Sequence, residues 1–227
     1  MFALRTAALV LATLATGLVA GVFYAYAISV MPALHRADDR TIVDVMQKIN
    51  VVIVNPWFMF SFMGAVGFAV LAAAVHLGKD HRATLIWVGV ALLLNVIAFF
   101  VTSGVNVPLN NQLANAGDVG QIGDLAAVRA QFESSWVTWN IVRAVLHTLA
   151  FLALLGALFV AGMQHARAAT VQSGGVAAGL PVAQQATGFA PGTVAAPTVA
   201  GPTYGAPAAQ FAPQQFAPRP GFASGQR

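Results

Sequence analysis

Between Arg5 and Arg36 the chain has no Asp, Glu, Lys or Arg. The same holds between Lys48 and Lys79, between Arg82 and Asp118, and between Arg143 and Arg167. These four uncharged stretches constrain the fold more than any other feature. A helix crossing the hydrocarbon core takes roughly 20 apolar residues, because the core is about 30 Å thick and the rise is about 1.5 Å per residue. Each gap holds one such helix, and the pattern predicts spans near 6–31, 57–77, 84–106 and 137–163. Only 8% of the 227 residues are charged and 58% are hydrophobic. Soluble domains carry roughly 25% charged residues, so this chain has too little polar surface to coat a water-soluble globule. The expected fold class is all-α: an integral membrane four-helix bundle over 1–166, with a short interfacial helix and a disordered tail over 167–227.

The first gap could also be read as a signal peptide, since Ala25-Tyr26-Ala27 has the form of a cleavage site. Its uncharged stretch runs on to Leu34, longer than the apolar core of a signal peptide, and a retained helix is the better reading. Between the first two spans, Ile42, Val43, Val45, Met46 and Ile49 fall at helical spacing with polar residues between. This predicts a short amphipathic helix on the membrane surface, capped by Asp38 or Asp39. Asn55-Pro56 ends it and opens the second span. The connection 107–135 holds Gly117, Gly120 and Gly123 and reads as a flexible loop, with a helix from about Asp124 running into the fourth span.

After Arg167 there is no acidic residue, and eight of the eleven prolines lie there. Phe-Ala-Pro recurs at Phe189, Phe211 and Phe216. Such a Pro/Gly/Gln/Ala-rich segment buries too little apolar surface to offset chain entropy. It is expected to be a solvated tail, or else a tether. The basic residues Arg5, Lys79, Arg82 and Arg167 favour both termini in the cytoplasm of a multi-pass protein of the plasma (inner) membrane.

Several chemistries are excluded. With no cysteine there is no disulfide framework and no Cys-ligated zinc or iron–sulfur site. The net charge of +4 comes from scattered residues without a basic run, so nucleic acid is not an expected partner. The spans hold no Asp or Glu, which removes a carboxylate-bridged di-iron centre. No metal site is expected.

Polar residues gather at one membrane face. The spans alternate in direction, so the end of the first, the start of the second, the end of the third and the start of the fourth share a side. That side carries Tyr24, Tyr26, Asn50, Asn55, Thr102, Asn106 and Asn110. On the fourth span Trp136, Asn140, Arg143 and His147 lie at offsets 0, 4, 7 and 11, which puts them on one helical stripe. Polar side chains are expensive in lipid and face the bundle interior or a wet cavity. Facing stripes predict a polar pocket open to one side.

Arg143 stands about one turn inside the fourth span with no acid in any span. It reads either as a holder of an anion or enolate, or as a snorkelling side chain. His147 reads either as a general base or as a hydrogen-bonded bundle histidine. Tyr24 and Tyr26 point to opposite sides of one helix, so at most one faces the pocket. Asn106 and Asn110 flank Pro108 and could also cap a helix end. Gly17-x-x-x-Gly21 reads as a helix-packing contact.

Four motifs carry a resemblance. They are Gly21-Val-Phe-Tyr-Ala-Tyr-Ala-Ile-Ser-Val-Met-Pro-Ala-Leu34; Met46-Gln-Lys-Ile-Asn50 with Asn55-Pro56; Asn106-Val-Pro-Leu-Asn110; and Trp136-Val-Thr-Trp-Asn-Ile-Val-Arg143. Over about residues 5–163 the chain resembles the anthrone oxygenase-like membrane proteins. The resemblance implies a four-helix membrane protein. Fungal members of that family oxidise anthrones to anthraquinones with O2 without a metal or flavin cofactor, so the expected activity here is oxidation of an anthrone-like or quinol-like aromatic with no cofactor. Arg143, His147, Asn106 and Asn140 are then the candidate catalytic residues, with His147 outside the family motifs. Tyr24, Asn50, Asn55, Asn110, Trp136 and Trp139 are the candidate substrate-binding residues. The expected partners are membrane lipids, a hydrophobic aromatic small molecule and O2. The rival reading is a non-enzymatic membrane protein that binds a small molecule or lipid, or a scaffold acting through its tail.

Overall fold

The computed structural model describes residues 1–178, with side chains to Thr170. Five helices account for nearly all of it. α1 is Phe2–His35, α2 is Asp39–Val52, α3 is Pro56–Val75, α4 is Lys79–Asn115 and α5 is Leu125–Ala178. α1, α3, α4 and α5 are each long and apolar enough to cross a membrane, so the chain is a four-span membrane protein. No strand occurs among the described residues. Residues 179–227, where the tail is expected, lie outside the described residues. α5 continues to Ala178, beyond the expected boundary at 166.

Each span packs on the one before it, and α5 closes the ring against α1. Toward the end that holds the Lys79–Arg82 hairpin, the core is built from small side chains. Ala8, Ala12, Ala69, Ala72, Ala91, Ala150, Ala153 and Ala157 are all buried. Small residues let helix backbones approach, and dispersion then accumulates where lipid gives no hydrophobic drive. Gly17 belongs to this packing, since a Cβ there would stand 2.9 Å from the Phe151 ring. Gly21 has open space around it, so only the first glycine of the Gly17-x-x-x-Gly21 pair makes a contact.

The local signals act as expected at three helix starts. Asp38 accepts from the Thr41 amide at 2.9 Å and opens α2. Asn55 Oδ1 accepts from the amides of Trp57 and Phe58 at 3.1 Å each, and Pro56 occupies the first turn of α3. Asp124 accepts from the Ala127 amide at 2.9 Å and opens α5. In the connection after α4, Gly117 takes φ 87°, a left-handed turn that suits glycine.

The third connection differs from expectation. The helix does not stop near Asn106; it continues past Pro108 to Asn115. The reason is a five-residue π-helical turn, Thr102–Asn106, which absorbs the proline. α1 contains the same device at Tyr26–Val30, ahead of Pro32. The extended ends of α4 and α5 form a small headpiece with α2. Ile42, Val43 and Met46 of α2 are buried against Leu113, Phe132 and Trp136, while Val51 and Val52 in its last turn stay exposed. Arg129 fastens this headpiece. It donates to Asp39 at 2.9 Å, to Glu133 at 2.6 Å, and to the carbonyls of Ala37 and His35.

Candidate functional site

Both π turns are closed by the N–H of the residue immediately before a proline. Met31 N–H donates to the Tyr26 carbonyl and Val107 N–H donates to the Thr102 carbonyl, each five residues back. Proline has no N–H and its ring crowds the carbonyl four residues earlier. Admitting one extra residue into the turn relieves that clash without ending the helix. The two widened turns lie at the same end of the bundle, in helices that run in the same direction.

Beside them, enclosed by all four spans and the end of α2, is a cavity of about 360 Å³. Most of its wall is apolar, with Phe23, Phe58, Phe62 and Phe99 supplying rings. Phe62 stacks between Phe58 and Phe99, with centroids 5.6 Å away on either side. The polar part is confined to one region, where Asn50, Asn110, Asn140 and Arg143 reach the wall together with Tyr26, Thr102 and Ser103.

Arg143 is buried, and its guanidinium carbon lies 4.2 Å from the Phe23 ring centre and 5.5 Å from that of Trp136. Cation–π contact of this kind offsets part of the cost of taking the charge out of water. Its one hydrogen bond runs from Nη2 to Asn140 Oδ1 at 3.2 Å, and its Nε has no partner. Glu133, on the same helix, is ten residues away, about 15 Å along the axis, and is engaged by Arg129 and His35. Arg143 therefore neither snorkels nor pairs with an acid. Asn140 Nδ2 donates to the Phe23 carbonyl at 3.0 Å, which fixes its amide and turns Oδ1 toward the guanidinium.

The other amides sort into donors and anchors. Asn110 Oδ1 accepts from Trp136 Nε1 at 2.7 Å, which leaves its NH2 group for the cavity. Asn50 Nδ2 is buried without a partner. The Thr102 hydroxyl donates back to the Ala98 carbonyl at 2.9 Å. Asn106 is buried behind the wall, where Nδ2 donates to the Trp136 carbonyl at 3.3 Å and Oδ1 is unpartnered. It does not cap a helix end, because the helix runs through it.

His147 lies one turn beyond Arg143 and off the cavity wall. Phe23 stacks on its ring at 5.4 Å and so separates it from the cavity. Its Nδ1 is 2.9 Å from Asn95 Oδ1, and Asn95 Nδ2 donates to the Ala65 carbonyl and to Thr16. A carbonyl only accepts, so the Asn95 amide has a single sensible orientation. Its oxygen then requires the proton of His147 on Nδ1, which leaves a lone pair on the buried, unpartnered Nε2.

Three candidate substrate-binding residues point away from the cavity. Tyr24 is 55% exposed and Trp139 37% exposed, both on the outside of the bundle. Asn55 is used up as the α3 cap, donating also to the Val52 carbonyl at 3.0 Å. Tyr26 takes the inward place instead of Tyr24, because it continues the buried stripe of Val19 and Phe23. Phe23 and Asn95 were not singled out for the site by residue chemistry. In the sequence Asn95 falls at helical spacing with Thr102 and Asn106, on one stripe of α4.

No group of three or more His, Cys, Asp or Glu that could hold a metal ion occurs among the described residues. No curated protein and no solved structure matches the chain. The family model described as anthrone oxygenase matches residues 57–153. That stretch includes Asn106, Asn110, Trp136, Asn140, Arg143 and His147 and leaves out α1 and α2, which contribute Phe23, Tyr26 and Asn50. Over that stretch the chain is similar to the anthrone oxygenase family.

Proposed function

We propose that the cavity binds a lipid-soluble aromatic compound of anthrone or quinol type and that the protein promotes its oxidation by O2. The observation that carries this reading is the buried Arg143 guanidinium, which has no carboxylate partner and faces an apolar cavity beside the amide donors of Asn50 and Asn110. Such a set suits an electron-rich oxygen: a phenolate, an enolate or a carbonyl becoming one. A donor set aimed where negative charge develops favours the transition state over the substrate.

For an anthrone the atoms balance simply. A base takes a C–H proton and leaves an enolate whose oxygen meets Arg143. The enolate carbon gives its electrons to O2 and forms a C–O bond, and a returned proton completes a hydroperoxide. Loss of water from that carbon leaves the quinone carbonyl. One O2 is consumed and one water released for each CH2 converted to C=O. His147 Nε2 is the candidate base, held in the accepting tautomer by Asn95; Phe23 must turn aside for the proton to reach it.

The protein in detergent, given an anthrone, is expected to take up O2 and form quinone in equal amounts. Arg143→Gln should reduce the rate about 10²–10³-fold, the usual effect of losing one oxyanion donor. An intact Arg143→Gln variant with unchanged turnover would remove the proposal. The non-enzymatic reading draws on the position of His147 behind Phe23. Saturable binding of the anthrone with no O2 uptake, lost in Arg143→Gln, would favour it. A role through the C-terminal tail concerns residues outside those described. We place the protein in the plasma (inner) membrane with both termini cytoplasmic, on the strength of Arg5, Lys79, Arg82 and Arg167.

A further inference from the structure

At the opposite end of the bundle a second cavity, of about 380 Å³, lies between the start of α1, the α3–α4 hairpin and α5. Its walls are of two kinds. Phe2, Leu9 and Ala161 are apolar, whereas Arg5, His76, His81 and His165 bring cationic or protonatable nitrogen. We propose that this cavity holds the phosphate group of an anionic amphiphile, with Arg5 as its fixed cation and His81, His165 and Gln164 as N–H donors. This site stands apart from the oxygenase reading and does not depend on it.

The groups are already held in place. Arg5 Nε donates to the Val75 carbonyl at 2.8 Å, which anchors the guanidinium at the end of α3. Its remaining nitrogens make no other hydrogen bond among the described residues, and a guanidinium fork matches phosphate oxygens. His76 is buried, with Nδ1 2.7 Å from the Ala72 carbonyl. That carbonyl only accepts, so the Nδ1 proton is committed there and Nε2 is the nitrogen left over. His81 meets the His76 ring edge-on at 5.6 Å, and His165 stacks on Phe2 at 4.0 Å. Gln164 Oε1 accepts from Thr84 at 2.9 Å and leaves its NH2 group for a ligand.

Asp80 is the one carboxylate on this wall. It balances Arg5, while Lys79 and Arg82, next to Asp80 and His81 in the hairpin, and Arg167, next to Ala168 on α5, add positive charge at this end of the bundle. The depth also fits. The charged hairpin marks the level of the headgroups, where basic pockets between spans take lipid phosphates, and Phe2 and Leu9 would meet the first carbons of a chain.

The test uses the full chain in an uncharged detergent, with thermal unfolding followed by circular dichroism. Phosphatidylglycerol, phosphatidylcholine with the same acyl chains, and glycerol phosphate are added separately. Phosphatidylglycerol is expected to raise the unfolding midpoint and phosphatidylcholine to leave it unmoved. Stabilisation by glycerol phosphate as well would assign the same phosphate site to a soluble ester; stabilisation by the lipid alone assigns it to the bilayer. Arg5→Gln should abolish the response but also loses the Val75 contact. His81→Leu with His165→Leu keeps that contact and should raise the amount of lipid needed about tenfold. Equal responses to the two lipids, no response to either phosphate source, or an unchanged lipid requirement in the double histidine variant would overturn the proposal.

Discussion

The two halves of the bundle solve opposite problems with the same apolar vocabulary. Near the hairpin, alanines at Ala12, Ala69, Ala91, Ala150 and Ala153 bring the four spans into close contact. Near the headpiece, Phe23, Phe58, Phe62 and Phe99 hold them apart around 360 Å³ of space. Both halves are hydrophobic, and side-chain size separates them. At the boundary sits one hydrogen-bonded cluster with a member on each span: His147 on α5, Asn95 on α4, Thr16 on α1 and the Ala65 carbonyl on α3. Below it the alanine layers form a seal, so the cavity is a dead end rather than a path across the membrane. A blind, largely apolar chamber with a cation at its floor suits a molecule that arrives from the bilayer, reacts and leaves again.

The largest expected effect strikes the cavity half alone. Arg143→Met should abolish turnover of an anthrone and raise the unfolding temperature. A buried charge with no acid costs several kcal/mol to desolvate, and a methionine of similar length fills the space without that cost. Loss of both activity and stability together would mean that Arg143 is structural. Asn95→Leu should act next. By releasing the His147 tautomer it should lower kcat about tenfold or more with little change in KM. Asn95→Asp should restore part of the rate by again accepting from Nδ1, and it should alter the pH–rate profile. A uniform loss that Asp does not rescue would make the cluster a packing element only.

The alanine half should respond to volume and the cavity half should not. Ala69→Leu or Ala153→Leu inserts methylenes where the neighbours have no room and should cost about 1–3 kcal/mol in unfolding free energy. Phe58→Leu, at the cavity wall, should cost clearly less than a core truncation, because one side of the ring already faces space. If Ala69→Leu and Ala153→Leu cost no more than Phe58→Leu, the contrast between the half-bundles is wrong. A smaller change is expected from Pro108→Ala or Pro32→Ala. Restoring the N–H lets the π turn relax to an ordinary helix, which should move Tyr26 or Ser103 off the wall and raise KM a few-fold with the fold intact.

Much of this was legible beforehand, and the reasons differ from place to place. The spans follow from desolvation of charge, which is so costly that gaps between charged residues mark them directly. Asp38, Asn55 and Asp124 were readable because capping is local chemistry. Trp136, Asn140, Arg143 and His147 fall on one buried stripe, as their spacing required. Pro108 misled because a proline ends most helices, and a π turn that absorbs it leaves no separate mark in composition. Tyr24 and Tyr26 could be placed only by knowing that Phe23 is inward. The cavity itself was hidden because lipid-facing and cavity-facing walls are both apolar, so the weakly amphipathic spans do not show which apolar face borders empty space.

The smallest effect tests the headpiece, which roofs the cavity end. Asp38 accepts from the Thr41 amide and hydroxyl, and these bonds hold its carboxyl below the usual aspartate range. A carboxyl whose folded-state pKa is lowered contributes stability that is present above its unfolded-state value and lost as pH falls through the folded-state value. The start of α2 should therefore loosen on acidification below the ordinary aspartate range, seen as faster amide exchange at Thr41 and Ile42. Asp38→Asn should keep most of the cap at neutral pH, since its side-chain oxygen still accepts, and should remove this acid dependence. Because α2 buries Ile42, Val43 and Met46 against the extended ends of α4 and α5, exchange in the alanine half should stay unchanged. Acid loosening that spreads evenly into α3 and the lower parts of α4 and α5 would show that headpiece and bundle open as a single unit.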